Sequence, residues 1–374
     1  MDAQKRMYGK AALAVLLVVM MIVLGTLGYM ILQLLGRLQV NPGYIPADYG
    51  ALIDEPEDAS FETLYDITDA ADLQGFLCQW WQNGGDDMIR YSRDVVNVLL
   101  IGVDSGDGQS GRSDTMMLAS VNKRTRRITL LSFLRDSYCC FEVNGHTYYN
   151  RLNTAYHFGG AAGLMQAVSR LYKIRVDRYI AVDFKSFPAL IDALGGVVVE
   201  VTEREARYIN RTAPSWKGAF PSGENVRLTG LQALTYSRIR KLDGDAQRTA
   251  RQQKVIQSIL ESACGAGLFQ LYQALDVTLP HVRTNYARTE LLGLIPSAAN
   301  WVNFGVEKLL SPLQTGPESS AVGGTIDGMS ILIVDYPKAA RQVQLALYGE
   351  SNIDLAEDAH RNEYIEGLFK GIHS

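Results

Sequence analysis

The stretch that decides the fold is residues 95–136, which read VVNVLLIGVD, SGDGQSGRSD, TMMLASVN, KRTRR and ITLLSFLRD in turn. Its three apolar runs are rich in Val, Ile and Leu, which is typical of strands buried in a sheet. Charged residues stand where these runs begin or end, namely Asp104, Arg112, Asp114, Arg135 and Asp136. Ligands of open α/β sheets bind beyond the strand ends, so this stretch predicts a site for a metal cation and a multiply charged anion.

The composition is that of an ordinary globular protein. The chain has 374 residues, of which 47% are hydrophobic and 20% charged, enough for one large domain or two small ones. The formal net charge of −4 argues against nucleic acid as a partner.

The four cysteines contain no C-x-x-C pair. Cys139 and Cys140 are adjacent and cannot bridge each other without strain. Free buried thiols and a disulfide from one of these two to Cys78 or Cys264 both remain open at this point.

The N-terminal region predicts a membrane anchor. Residues 11–36 are apolar and uncharged, long enough to span a bilayer, and Lys5, Arg6 and Lys10 precede them. We therefore expect a cytoplasmic tail over residues 1–10 and an uncleaved signal anchor over 11–36, with the rest of the chain outside the cell membrane. A cleaved signal peptide is the alternative, but no A-x-A-like site is found. Residues 37–94 are acidic and predict an extracytoplasmic spacer, with a short helix near residues 70–81.

The remaining chain predicts alternating helices and strands. Helical spacing over residues 160–172 and 187–194 alternates with apolar runs at 178–184 and 197–201, which indicates an α/β fold. Residues 202–225 show no period and are expected to form a loop. Thr229 and Gln232 form a capping-box signature for a following helix. We assign residues 95–350 to this domain, with further helices at 268–277, 288–299 and 338–348 and a strand at 330–334, and residues 351–374 to a polar tail.

The charged residues that are hardest to explain as surface form one group. The acids are Asp104, Asp114, Asp136 and Asp245, and the bases are Arg112, Arg135, Arg238, Arg240, Arg248 and Arg251. Each Asp–Arg combination could be a simple structural ion pair. Taken together, the planar forks of so many arginines favour binding of pyrophosphate, and carboxylates at strand ends suit Mg²⁺. We therefore expect phosphoryl-transfer chemistry on a diphosphate.

The helix that begins near Arg248 divides into two predicted faces. Arg248, Arg251 and Gln252 stand at positions i, i+3 and i+4 and are expected to share the site. The opposite face carries Val255, Ile259 and Leu260, which we expect in the core.

Several ordered motifs resemble the LytR-CpsA-Psr family of envelope proteins. They are NVLLIGVDS, GRSDTMML, LLSFLRDSY, RLNTAYHFGGA, YIAVDFKSF, IDALGGVVVEV, LTGLQALTYSRIRK and GDAQRTARQQ, which together cover roughly residues 95–260. The resemblance implies an α/β/α sandwich around a central mixed sheet, preceded here by the one transmembrane helix. It also implies an enzyme that moves a glycopolymer, such as teichoic acid or capsule, from a polyprenyl-pyrophosphate carrier onto peptidoglycan, forming a phosphodiester at a muramic acid hydroxyl.

The resemblance also implies roles for single residues. Asp104 and Asp114 match metal ligands for Mg²⁺, with Mn²⁺ as a substitute. Seven residues would surround the pyrophosphate, namely Arg112, Arg135, Arg238, Arg240, Arg248, Arg251 and Gln252. Asp136 and Asp245 would orient the arginines, or one of the two would take the proton of the acceptor. The catalytic group is expected to comprise Asp104, Arg112, Asp114, Arg135 and Asp136.

The chain departs from the family pattern at four places. Gly106 stands where an Arg is frequent, Leu134 replaces a Pro, Arg151 replaces a Lys, and the Cys139–Cys140 pair is not part of the pattern. None of these removes an arginine or acid of the predicted site. Two other functions stay open from the sequence, a polyprenyl-pyrophosphate hydrolase and a membrane-bound regulator or scaffold without enzymatic activity.

Overall fold

A computed structural model describes residues 33, 36–37, 39–40, 65–82, 88–103, 113–183, 186–212, 219–301, 303–356 and 363–370. Asp104 and Arg112 lie outside these residues, and the side chains of Asp114, Asp245 and Cys264 are not described either. The predicted cytoplasmic tail and nearly all of the predicted anchor also lie outside. No helix within the described ranges is long and apolar enough to cross a membrane.

Strands and helices alternate along most of the described chain. In order they are β1 (Gln39–Val40), β2 (Tyr65–Ile67), α1 (Ala71–Gln82), β3 (Val95–Val103), β4 (Ser113–Asn122), β5 (Arg127–Phe133), β6 (Tyr138–Val143), β7 (His146–Arg151), α2 (Thr154–Tyr172), β8 (Arg178–Asp183), α3 (Phe187–Ala193), β9 (Val197–Val201), α4 (Glu203–Thr212), β10 (Gly223–Leu228), α5 (Gly230–Ser237), α6 (Asp245–Gly265), α7 (Leu268–Thr278), β11 (Val282–Thr284), α8 (Arg288–Trp301), β12 (Gly305–Ser311), β13 (Ala321–Ile326), β14 (Met329–Val334), α9 (Tyr336–Tyr348) and α10 (Glu363–Lys370).

The main sheet has seven strands in the order β1-β11-β8-β3-β4-β5-β12. The pairs β3–β4, β4–β5 and β8–β11 are antiparallel, whereas β3–β8, β5–β12 and β1–β11 are parallel. The three apolar runs of residues 95–133 thus form three neighbouring strands, β3, β4 and β5. The predicted α/β fold with a mixed central sheet is confirmed.

Helices cover both faces of this sheet. On one face α2 and α9 pack together through aromatic rings: Phe133 lies 4.6 Å from Tyr172, and Tyr172 lies 5.9 Å from Tyr336, measured between ring centroids. On the other face α6 crosses β5 and β12, where Gln253 Nε2 donates hydrogen bonds to Ser132 Oγ (2.9 Å) and to the Leu309 carbonyl (2.7 Å). The first face forms the larger apolar core.

The predicted spacer contributes to this core. The short helix expected near residues 70–81 is present as α1, and its side chains Leu73, Leu77, Trp80 and Trp81 are buried. The Trp80 indole donates to the Leu171 carbonyl at 2.9 Å. Strand β2 pairs with β13. The folded unit therefore includes residues that precede the predicted domain start at residue 95.

Several elements differ from the sequence-based expectation. The predicted loop over residues 202–225 contains helix α4 and the start of β10, so this prediction is wrong. Helix α4 begins with a Thr-x-x-Glu capping arrangement in which Thr202 N donates to Glu205 Oε2 at 2.8 Å, and it buries Ala206 and Ile209. The hairpin β6–β7 was also not predicted, although it turns at Asn144-Gly145, both with positive φ, a sequence typical of tight hairpin turns.

The described cysteines are free thiols. Cys139 and Cys140 are buried on β6, and Cys78 is half-buried on α1. Burial, followed by the nearby Cys78 thiol, raises the pKa of Cys140 to about 12. Of the two alternatives left open by the sequence, the structure has the reduced one for Cys78, Cys139 and Cys140.

Candidate functional site

The site lies where β3 ends and β4 begins. Gly102 pairs with Thr115 and Val103 pairs with Ser113, so the two strands meet at this edge of the sheet. Asp104 and Asp114 are the next residues in the sequence after Val103 and Ser113. The predicted metal ligands thus follow paired residues in the sequence, but Asp104 and the side chain of Asp114 lie outside the described part of the chain.

The turn after β5 is fixed by backbone hydrogen bonds on three sides. Leu134 N donates to the Ser311 carbonyl (3.0 Å), Asn153 N donates to the Arg135 carbonyl (3.3 Å), and Leu332 N donates to the Asp136 carbonyl (2.8 Å). Arg135 and Asp136 are both buried. These bonds fix the backbone from which both side chains extend.

The Asp136 carboxylate is shared by three arginines. It lies 3.7 Å from Arg135 Nε, 3.5 Å from Arg151 Nη1 and 3.9 Å from Arg240 Nη2. These residues come from the turn after β5, the end of β7 and the segment after α5. One carboxylate thus gathers three guanidinium groups, and guanidinium forks are well suited to bind phosphate oxygens.

A small polar cavity opens beside this cluster. We call it the arginine cavity; it is about 10 Å³ in volume, and Arg135, Arg248, Gln252 and Thr115 are among its lining residues. Arg248 and Gln252 are one helical turn apart on α6 and reach the same space. The predicted convergence of Arg135, Arg248 and Gln252 is thus present in the structure.

A larger apolar cavity adjoins it. This apolar cavity is about 200 Å³ in volume and lies between strands β3, β4 and β8 and helices α3, α5 and α6. Its lining includes Leu100, Ile180, Val182, Phe187, Leu190, Val255, Ile256, Ile259 and Leu260. The prediction that Leu260 belongs to the core is wrong, because 40% of this residue is exposed. An apolar cavity that ends in polar groups is typical of ligand sites.

Thr115 and Gln252 line both cavities and mark their junction. The Thr115 hydroxyl oxygen is buried and has no hydrogen-bond partner among the described residues. A buried polar group without a partner costs about 1–3 kcal/mol, so such an atom is expected to serve a ligand or water. Thr115 is not among the predicted site residues, because a threonine in a strand carries no functional signal of its own.

Arg251 belongs to a separate buried network. Its Nε donates to Glu205 Oε1 (2.6 Å), its Nη1 to the Ile239 carbonyl (2.9 Å) and its Nη2 to Asp243 Oδ2. The residue is 3% exposed and lines neither cavity. In the structure, Arg251 therefore holds the segment after α5 against α4. Its predicted contact with the pyrophosphate stays a prediction.

The same network changes the acidity of Glu205. Burial alone would raise its pKa, but the hydrogen bonds from Arg251 and Thr202 outweigh burial and hold the pKa of Glu205 below its ordinary value. The ionised pair is thus part of the folded state at neutral pH.

The remaining predicted residues are Arg238, Arg240 and Asp245, and the structure places them differently. Arg238 is exposed at the C-terminal end of α5, where its backbone is helical (φ −94°, ψ −5°). Arg240 reaches Asp136, as described above. Asp245 begins α6, but its side chain is not described. Arg151, which in the sequence is only a departure from the family pattern, is one of the three arginines that contact Asp136.

Within the described residues no three acids, histidines or cysteines lie close enough together to hold a metal ion. The chemistry of Asp104 and Asp114 nevertheless fits Mg²⁺, because carboxylate oxygens are the ligands it prefers and their sequence neighbours Val103 and Ser113 are paired. Mg²⁺ binding thus remains a prediction.

The fold and site define a class of protein: a mixed α/β domain in which an apolar cavity ends at buried arginines, as suits a lipid that carries an anionic head group. The profile of the LytR_cpsA_psr family matches residues 80–346. The chain therefore belongs to the LytR-CpsA-Psr family.

Similar proteins carry specific names. The chain is 36% identical over 217 residues to a "Polyisoprenyl-teichoic acid--peptidoglycan teichoic acid transferase TagU" of Oceanobacillus iheyensis, with 55% of this chain and 64% of that protein aligned. A protein of the same name from Halalkalibacterium halodurans is 32% identical over 67% of this chain and 77% of its own length. The alignment thus spans less than two thirds of the first relative.

Solved structures support the fold. The Bacillus subtilis protein YwtF (TagT) with bound octaprenyl pyrophosphate lipid superposes with a TM-score of 0.52. It is 22% identical, and the match covers 70% of this chain and 95% of that one. The predicted α/β architecture is thus shared with a structure of the same family.

Proposed function

We propose that this protein is a phosphotransferase that moves a glycopolymer from a polyprenyl-pyrophosphate carrier onto peptidoglycan. The observation that carries the proposal is the junction at Thr115 and Gln252, where the apolar cavity meets the arginine cavity. The polyprenyl chain occupies the apolar cavity and the pyrophosphate lies against Arg135 and Arg248. The names of the relatives and the lipid bound to YwtF support this assignment.

The reaction exchanges one phosphorus–oxygen bond for another. A hydroxyl of peptidoglycan attacks the phosphorus that carries the polymer. The bond from that phosphorus to the bridging oxygen breaks, and polyprenyl phosphate leaves with that oxygen. A phosphodiester joins polymer and wall, and the hydroxyl proton passes to a carboxylate of the site. Arg135, Arg240 and Arg248 stabilise the negative charge that moves onto the leaving phosphate.

Asp136 is best suited to orient the arginines. Its carboxylate already contacts Arg135, Arg151 and Arg240. It keeps three cationic groups at one place against their mutual repulsion, which a neutral residue of the same shape would not do. Asp245 thus stays as the other acid proposed to take the proton of the acceptor.

Asp104 and Asp114 would hold Mg²⁺, for which Mn²⁺ could substitute. When bound, such an ion supplies positive charge to the pyrophosphate oxygens and so assists departure of the phosphate. The two acids are offered for this role on their carboxylate chemistry and their chain position at the β3–β4 edge.

We further propose that residues 11–36 anchor the protein in the cell membrane by a single span, with the domain outside. The end of this segment and the residue after it contact the domain: Arg288 Nη2 donates to the Gly36 carbonyl at 3.3 Å, and Arg37 Nη1 lies 2.5 Å from Asp276 Oδ1. The anchor would thus hold the apolar cavity near the bilayer that contains the lipid carrier.

The transfer reaction tests the proposal directly. Purified full-length protein in detergent is given a polyprenyl-pyrophosphate-linked glycan, with and without peptidoglycan oligomers. The wild type should form the glycan–peptidoglycan product, and Arg135→Ala should lower the rate by about 10²–10³-fold. Arg124→Ala, an exposed arginine in the β4–β5 turn, serves as the matched control and should keep full activity.

Two results would contradict the assignment. Full activity of Arg135→Ala, with a circular dichroism spectrum like that of the wild type, would remove the arginine cavity from the mechanism. Release of polyprenyl phosphate at the same rate without peptidoglycan, and without coupled product, would make the enzyme a hydrolase instead.

A further inference from the structure

A second pocket lies at the opposite end of the main sheet. We call it the distal pocket; it is about 420 Å³ in volume and lies where β3 and β8 begin and α9 ends. Strand β3 spans nine residues from Val95 to Val103, so the distal pocket is about 26 Å from the β3–β4 edge at a rise of ~3.3 Å per residue. Nothing in the proposed transfer reaction uses this pocket.

A buried asparagine supports the wall of the pocket. Asn97 is 9% exposed, and its Nδ2 donates to the Arg175 carbonyl (2.8 Å) and to the Tyr348 hydroxyl (2.9 Å). The Tyr348 hydroxyl in turn donates to the Arg90 carbonyl, so the amide orientation is fixed. Asn97 Oδ1 has no hydrogen-bond partner in the described part of the chain. The donated hydrogen bonds from Asn97 hold the Arg175 backbone and the Tyr348 side chain in place at the wall of the pocket.

Aromatic rings provide the second feature. Tyr91 is 53% exposed, with the guanidinium carbon of Arg175 4.6 Å from its ring centroid. Tyr286 lies beneath Arg178 at 5.4 Å. Tyrosine presents a flat apolar face beside a polar tip, which suits a ligand that has both C–H surfaces and hydroxyl groups.

The positive charges that line the pocket outnumber the negative charges by one. Arg175 pairs with Asp177 at 2.6 Å, and Arg178 pairs with Glu290 at 2.5 Å. Arg93 also lines the pocket, is exposed, and forms no ion pair with any described residue. Three arginines against two carboxylates give a formal charge of +1, so an anionic group on the ligand is favoured.

We propose that the distal pocket binds an anionic saccharide or polyol. An apolar ring face of the ligand packs on Tyr91, and a carboxylate or phosphate of the ligand pairs with Arg93. Two sources share this chemistry: the carboxylate-bearing sugars of peptidoglycan and the phosphate-bearing units of a teichoic-type polymer. A role of the distal pocket in the transfer reaction rests on the proposed function, because only a polymeric substrate is long enough to reach both the distal pocket and the arginine cavity.

The position of the pocket fits this class of ligand. Strand β1 lies beside β11 with Gln39 opposite Arg283, and Val282 at the start of β11 pairs with Val182 near the end of β8. Arg37, which precedes β1, therefore lies at the same end of the main sheet as the apolar cavity. The distal pocket lies at the other end and would face away from the proposed anchor, toward the wall.

Binding by the full-length protein in detergent tests the proposal. Isothermal titration uses two probes: peptide-free oligomers of N-acetylglucosamine and N-acetylmuramic acid, and a glycerol-phosphate oligomer. At least one should bind the wild type, and Tyr91→Ala and Arg93→Ala should each weaken that binding by at least about threefold. Both residues are exposed, so the fold should survive. Arg124→Ala is the matched control and should bind like the wild type.

The outcomes separate this inference from the proposed function. Binding that is kept in Arg135→Ala but weakened in Tyr91→Ala and Arg93→Ala supports the distal pocket, whether or not transfer activity is found. Which probe binds identifies the source of the ligand. The inference is overturned if neither oligomer binds, or if binding is the same in the wild type, Tyr91→Ala and Arg93→Ala.

Discussion

The two faces of the main sheet are covered by helices in different ways. On the face of α2 and α9, the side chains of Leu164, Leu171, Tyr172 and Tyr336 are fully buried. On the face of α3 and α6, equally apolar side chains leave the apolar cavity of about 200 Å³. Protein interiors are normally close-packed, so a cavity of this size next to buried arginines indicates a place kept for a ligand.

The largest difference should appear in stability. Leu164→Ala removes a fully buried side chain from the packed face and should lower the free energy of unfolding by about 2–5 kcal/mol. Ile256→Ala, on the wall of a cavity that already exists, should cost only about 1 kcal/mol. Urea denaturation of both variants measures the comparison. Equal losses would mean that the two faces are packed alike.

The next difference concerns acid. The pKa of Glu205 is lowered in the folded state. Its pairing with Arg251 therefore stabilises the fold at pH values above the ordinary pKa of Glu, which is near 4.5. This contribution should be lost as the pH falls through the lowered pKa. Hydrogen exchange should show α4 and α6 losing protection before α2 as the pH is lowered.

The matched variants for this prediction are Glu205→Gln and Glu224→Gln, the second of which changes an exposed glutamate. Glu205→Gln should be less stable than the wild type at pH 7 and less sensitive to acid. A Glu205→Gln protein with the acid sensitivity of the wild type would show that another group governs this face.

A third prediction fills the apolar cavity. Ile259→Trp adds volume to a half-buried residue of its wall, and should change the free energy of unfolding by less than about 1.5 kcal/mol. It should weaken binding of polyprenyl pyrophosphate by about tenfold or more, because the lipid chain loses its space. Fluorescence titration with the lipid measures this, and unchanged affinity would exclude the cavity as the lipid site.

The smallest effect is expected at the junction of the two cavities. Thr115→Val keeps the shape of the side chain and removes a hydroxyl that has no partner within the described residues. Stability should stay the same or rise slightly, whereas affinity for the pyrophosphate head should fall by about two- to tenfold. Titration with polyprenyl pyrophosphate and with the uncharged polyprenol separates a head-group effect from a chain effect.

The same comparison explains what the sequence could predict. Strands β3, β4 and β5 were predicted because long apolar runs have few alternatives, and Arg135, Arg248 and Gln252 were brought together by strand ends and helical spacing. Arg251 was grouped with them because it shares their side of α6 in sequence. In the fold that side of α6 is divided, because Arg251 at position i+3 contacts Glu205 on α4, a helix formed by residues that were predicted to be a loop.

Other features depend on tertiary packing alone. Whether Val255 and Ile259 fill a core or line a cavity is decided by how α3 and α6 approach the sheet, and both arrangements need the same apolar residues. Thr115 and Arg151 lie in strands that carry other polar residues, and nothing in the sequence separates them from those neighbours. Asn97 is the one polar residue of an apolar strand, and only its burial without a partner for Oδ1 among the described residues distinguishes it.

The central claim is that one site joins the apolar cavity to the arginine cavity around a lipid pyrophosphate. Its most direct test is a crystal structure of this protein with a polyprenyl pyrophosphate. We predict the lipid chain between α3 and α6, with the two phosphates beside Thr115 and within hydrogen-bond distance of Arg135 and Arg248. Electron density for the phosphates elsewhere, with both arginines untouched, would contradict the account.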